Sequence, residues 1–326
     1  MAIKKNGSTE PSRKSLTQRL AQIQECWRRD AENETGVKQK LLLFAASPAA
    51  LPVAAVLVLL AVLSIVGIIV LAAGGGQQPG APSSSVPVSA DSEWVEPEED
   101  KHYDASQGVI DTNIYQGTVL PLTEDAGQEY VDGTLFLGDS NTVRYMMYGK
   151  TTLKNDIGVV SMGAGAITTL GCVDFQGYSS YVTMPEAVAI MQPERVVITF
   201  GTNNLSGSST DATKFIETYQ KGIQAIVDAY PSVDMIVNSI PPLDKLRENT
   251  NLHQSQIDAY NQAIVKMCED NGWKYLNSAE ALKDEETGWA KTDFTLGDGV
   301  HLSQKGVDAL FEYVRTHAYI TEDDRP

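Results

Sequence analysis

The sequence predicts a doubly wound α/β domain of roughly two hundred residues, preceded by one transmembrane helix. Three observations carry this prediction. Five short apolar runs punctuate the chain after residue 130. Amphipathic helical patterns lie between them. Upstream, Leu41 to Ala90 contains no charged residue.

The strand candidates are Thr134–Leu137, Gly158–Ser161, Arg195–Phe200, Val233–Ile240 and Lys274–Leu276. RVVITF and VDMIVNSI are nearly continuous and β-branched, as parallel strands covered on both faces are. A helix follows the first strand over Asn141–Tyr148. Another spans Asp211–Tyr230, with Phe215, Tyr219, Ile223, Ile226 and Tyr230 on one stripe. A third spans His253–Asp270, with Ile257, Tyr260, Ile264 and Met267. A last one follows Ser303, with Val307, Leu310, Phe311 and Val314. Each stripe has the spacing of a helix packed on a sheet.

The membrane helix is read from Val53–Ala73, VAAVLVLLAVLSIVGIIVLAA, in which Ser64 is the one polar side chain. At about 1.5 Å per residue it spans roughly 30 Å, the thickness of a bilayer core. Its polar leader and its apolar run are both longer than those of a cleaved signal peptide, which favours an uncleaved anchor. The chain has 326 residues and a net charge of −17, unevenly placed: residues 1–40 carry nine Lys/Arg against five Asp/Glu, leaving −21 beyond them. Basic residues before the span put residues 1–40 in the cytoplasm and the rest outside, a single-pass membrane topology. Residues 41–73 form the hydrophobic segment. Residues 74–108, rich in Gly, Pro, Ser and acid, form a flexible linker. Residues 109–326 form the domain. The acidic run Glu96–Asp100 lacks the spacing of a calcium loop. The acidic domain repels nucleic acid. Cys26 falls in the cytoplasm. Cys172 and Cys268 fall outside, where a disulfide is allowed, although Cys268 sits beside a core stripe. No Cys/His cluster has metal-ligand spacing, and no cofactor is expected.

Ser140 lies where the first strand hands over to a helix, at the sheet edge where open α/β folds bind ligands. It is equally a helix N-cap on this evidence alone. A serine nucleophile needs a base, a group orienting the base, and oxyanion donors. Among His102, His253, His301 and His317, His301 stands out: in LGDGVHLSQKG it follows Asp298 by three residues, and a helix starts just after. Gly163 and Gly165 in SMGAGAIT could let backbone N–H groups approach a ligand. Asn203 in TFGTNN could offer its amide. Each motif alone also reads as a plain turn.

Together, G-D-S, a glycine after strand two, G-x-N after strand three and D-x-x-H near the end resemble the SGNH (GDSL-type) hydrolases over about residues 130–318. The resemblance implies a flavodoxin-like three-layer α/β/α sandwich with a five-stranded parallel sheet. It implies Ser140 as nucleophile, His301 as base and Asp298 as its partner. The backbone N–H groups of Ser140 and Gly165 and the amide of Asn203 would form the oxyanion hole, with Gly163 the poorer match for Gly165. Asp139 is read as holding the serine loop. Asn204 departs from the Asp often found there. Together with the outward placement read from the span, the resemblance implies an extracellular serine esterase removing small acyl groups, acetyl above all, from carbohydrate or cell-envelope glycans. The alternatives are a glycan O-acetyltransferase using the same acyl-enzyme and a non-catalytic glycan-binding module.

Overall fold

The computed structural model describes residues 103–205, 209–247 and 252–321, with positions 21, 23–25, 27, 28 and 47. The expected span over 53–73 and most of the expected linker lie outside the described residues. Among the described residues no helix is long and apolar enough to cross a membrane.

Five parallel strands form one sheet in the order β2-β1-β3-β4-β5. In chain order, α1 (Gly127–Asp132) leads into β1 (Thr134–Gly138), followed by α2 (Ser140–Met147) and β2 (Asp156–Gly158). Then come α3 (Met184–Met191), β3 (Arg195–Thr199), α4 (Thr213–Ala229), β4 (Asp234–Asn238) and α5 (Gln254–Asn271). β5 (Lys274–Leu276), α6 (Ala279–Leu282) and α7 (Gln304–Thr316) complete the domain. Strand residues alternate between two apolar layers. Leu135, Leu137, Val196, Ile198, Met235 and Val237 face the layer built with α3, α4 and α5. Phe136, Val197, Ile236 and Leu276 face the layer with α1, α2, α6 and α7. A sheet buried on both faces explains why β1 and β3 read as unbroken apolar runs.

β2 differs from the expected Gly158–Ser161. It lies earlier, because the buried Asp156 accepts from the Thr151 hydroxyl (2.8 Å) and the Gly158 N–H (3.0 Å) inside the strand. By Ser161 the chain has turned into the left-handed region, φ 63°. α3, which the spacing did not single out, starts with a capping box between Thr183 and Glu186 and a proline in its first turn. Gly138 is the last residue of β1 and not merely its stop. A Cβ there would lie 2.2 Å from Thr142 Oγ1 and 2.7 Å from the Thr199 carbonyl, so only glycine lets α2 pack this close to the strand ends.

Contacts of the domain begin upstream of residue 109. The Tyr103 hydroxyl donates to Asp258 Oδ2 (2.9 Å), and its ring packs 5.4 Å from Trp289. Cys172 and Cys268 are both buried in the same apolar layer.

Candidate active site

In a parallel sheet all carboxyl ends lie on one edge, and register aligns Gly138 with Gly158 and with Thr199. The loops after β1, β2 and β3 therefore meet there. Asp139 caps α2: its Oδ1 accepts from the Asn141 N–H at 2.9 Å. That cap fixes Ser140 as the first helical residue, buried at the head of α2.

His301 arrives from a hairpin-like turn. The bridge Thr295↔Leu302 and the bond from Leu296 N–H to the His301 carbonyl (2.8 Å) close it. Its imidazole Nε2 lies 2.9 Å from Ser140 Oγ. On the other side, His301 Nδ1 pairs with Asp298 Oδ2. Asp298 Oδ1 accepts from the backbone N–H groups of Val300 and His301, both at 2.9 Å. Burial would raise the Asp298 pKa. The hydrogen bond and charge of His301, with those two N–H groups, outweigh it and hold Asp298 down to about 2.

Asn203 sits in the 3₁₀ turn Thr202–Asn204 after β3. Gly201, φ +149°, opens that turn; a Cβ there would lie 2.1 Å from Ile240 Cδ1. The Asn203 amide donates to Asp139 Oδ2 (3.3 Å) and to the Met162 carbonyl (3.1 Å). Gly165 lies in the 3₁₀ turn Ala164–Ala166. Among the described residues neither the Ser140 nor the Gly165 backbone N–H has an acceptor in hydrogen-bond range. Asp139 is fully buried, and burial pushes its carboxyl up to about 6 against the opposing pull of the Asn141 N–H and His301. Two neighbouring carboxylates are thus driven apart by their surroundings.

Sequence reasoning missed two residues that hold these loops together. Asn204 Oδ1 accepts from the Ala164 N–H at 3.1 Å, tying the β3 loop to the Gly165 turn. Asn141 Oδ1 accepts from the Leu302 N–H at 2.9 Å, tying the serine helix to the histidine turn. A poor helix former directly after G-D-S was the available signal for Asn141. The segment from Pro241 is tied to the histidine turn by the Asp244 N–H, which donates to the Gly299 carbonyl (2.9 Å). His253 stands at the N-cap of α5, and His317 stacks on Tyr313 at 3.6 Å; neither joins Ser140. His102 lies outside the described residues. A cavity of about 550 Å³ beside Lys274, Glu280 and Tyr319 and one of about 580 Å³ between α4 and α5 contain no member of this cluster.

The model of the GDSL-like Lipase/Acylhydrolase family matches residues 136–309, more than half of the chain. The chain belongs to that family. As a member it is a hydrolase of ester bonds. Similar solved structures include a GDSL-like lipase from Bacteroides thetaiotaomicron, at 18% identity and TM-score 0.41, covering 62% of this chain and 91% of that one. A carbohydrate esterase family 3 protein from Talaromyces cellulolyticus shares 18% identity at TM-score 0.39, covering 56% and 93%. A peptidoglycan O-acetylesterase shares 13% at TM-score 0.39, covering 49% and 44%. Membership of the GDSL-like family rests on the family model and not on these structures. No curated protein matches the chain.

Proposed function

We propose that this GDSL-family hydrolase is a membrane-anchored, outward-facing serine esterase that removes small acyl groups, acetyl first, from carbohydrate esters. The observation that carries the reading is the unbroken line from Ser140 Oγ to His301 Nε2 (2.9 Å) and from His301 Nδ1 to Asp298. Ser140 Oγ attacks the ester carbonyl and passes its proton to His301 Nε2. Asp298, ionised down to about pH 2, stabilises the imidazolium that forms. The N–H groups of Ser140 and Gly165 receive the negative oxygen. Asn203 joins them by sharing its longer bond, the one to Asp139. His301 then returns the proton to the leaving alcohol. Water, deprotonated by the same nitrogen, releases the acid and restores Ser140.

The anchored, outward placement is supported by the apolar run Val53–Ala73 and the basic residues before it. Acetyl as the acyl group and carbohydrate as the alcohol follow from the resemblance together with that placement. The test is turnover of 4-nitrophenyl acetate by the purified full chain in mild detergent. Ser140→Ala and His301→Ala should each lose on the order of ten-thousandfold or more. A Ser140→Ala enzyme as active as the wild type would refute the nucleophile. Protease added to intact cells should remove the domain; its protection would refute the outward placement.

A further inference from the structure

Between Gly158 and Pro185 the chain carries one charged side chain, Asp174, and it is buried. No other stretch of this length in the domain is so free of charge, and the chain beyond residue 40 carries −21. The stretch leaves the sheet at the carboxyl end of β2, the edge that holds Ser140, and runs to the start of α3. Its first part is bonded to the site through Met162 and Ala164. Directly after the Gly165 turn, the Leu170 N–H donates to the Ala166 carbonyl at 2.9 Å.

From there a loop leaves the body and returns. Its base is pinned by Cys172 N–H to the Val182 carbonyl (2.8 Å) and Val182 N–H to the Val173 carbonyl (2.7 Å), with Phe175 and Val182 buried. Its tip, Gln176–Tyr181, reads QGYSSY and is exposed throughout. Tyr178 and Tyr181 are 47% and 43% exposed. A tip of Tyr, Ser and Gly on a fixed base has the composition of an antibody recognition loop. Tyrosine gives a wide contact face with only two rotatable side-chain bonds to order, while Ser and Gly adapt their hydrogen bonds.

We propose that this loop tip is a saccharide subsite of the enzyme, in which Tyr178 and Tyr181 stack on uncharged sugar rings of the polymer that bears the ester. The proposal rests on the esterase reading above. A pyranose ring has an apolar C–H face and a rim of hydroxyls. The tyrosine faces take the first; their hydroxyls, with Ser179, Ser180 and Gln176, take the second. The absence of charge removes the bidentate recognition that phosphate or carboxylate ligands use. A tip without aliphatic side chains offers little to an acyl chain.

The experiment compares the full chain in mild detergent with the Tyr178→Ala/Tyr181→Ala and Tyr178→Phe/Tyr181→Phe double variants. The readout is kcat/KM on acetylated xylan divided by kcat/KM on 4-nitrophenyl acetate. The alanine pair should lower that ratio about tenfold or more, mainly through KM on xylan, as loss of aromatic anchors does. The phenylalanine pair should keep most of it. A ratio unchanged in the alanine pair overturns the proposal. So does a loss confined to 4-nitrophenyl decanoate, which would make the loop an acyl-chain site. Co-sedimentation with insoluble acetylated xylan reads the loop without turnover. If the wild type hydrolyses no ester, tyrosine-dependent sedimentation still supports the subsite while the esterase reading fails. Sedimentation equal in all three chains overturns the subsite alone.

Discussion

The two sides of Ser140 are built in different ways. On the base side, Asp298 and His301 lie three residues apart in one turn, and a single carboxylate holds the ring and two backbone N–H groups. On the donor side, parts from three loops are joined by side chains: Asn203 to Asp139, and Asn204 to Ala164. The base side is a local structure that would survive distant disturbance. The donor side is an assembly whose geometry depends on each bridge. Their carboxylates differ in the same sense: Asp298 is held down to about 2 by partners, and Asp139 is pushed up to about 6 by burial.

Substitutions can break this contrast. Asp298→Asn should cost the most, on the order of ten-thousandfold in kcat, because it removes the charge that orients and stabilises His301. Asn203→Ala should cost about a hundredfold to a thousandfold in kcat, the usual loss for one oxyanion donor. A Asn203→Ala enzyme with full kcat on 4-nitrophenyl acetate would exclude that side chain from the oxyanion hole. Asn204→Ala should cost about tenfold in kcat, since its side chain supports the Gly165 turn by the bond at Ala164, and supporting hydrogen bonds of this sort act at one remove. If Asn204→Ala matched Asn203→Ala, the turn and not the amide would be the critical part.

A last effect is on stability, outside the rate comparison, and is read by urea unfolding at several pH values. Asp139 has a folded pKa of about 6, above its ordinary 3.8. Its contribution is therefore fully present below about pH 4 and is lost as pH rises through 6. Compared with Asp139→Asn, the wild type should lose on the order of 2 kcal/mol of relative stability between pH 4.5 and 7.5. Asp298 runs the other way. Its contribution is present above about pH 4 and is lost only as pH falls toward 2. A difference between wild type and Asp139→Asn that does not change with pH would show that Asp139 is not the high-pKa member of the pair.

Sequence periodicity located β1, β3, β5 and the long helices because each buries a continuous face. It misplaced β2, where two hydrogen bonds to a buried Asp156, and not an apolar pattern, set the strand. Family spacing picks out Ser140, Asp298 and His301 because each sits in a turn or at an element boundary. Asn141 and Asn204 were not legible as bridges, since their partners, Leu302 and Ala164, are remote in sequence and the bonds are to backbone N–H groups. An amide that satisfies a distant main-chain donor leaves no periodic trace.

The separation of 161 positions between Ser140 and His301 also sets the order in which the site can come into being. Ser140 is made well before His301, and the Asn141–Leu302 bond that joins their loops must wait for both. On the proposed reading, no translation product that stops before residue 301 can cleave an ester by this route. On the proposed reading, turnover thus reports that the chain has been made at least through residue 302 and closed on itself.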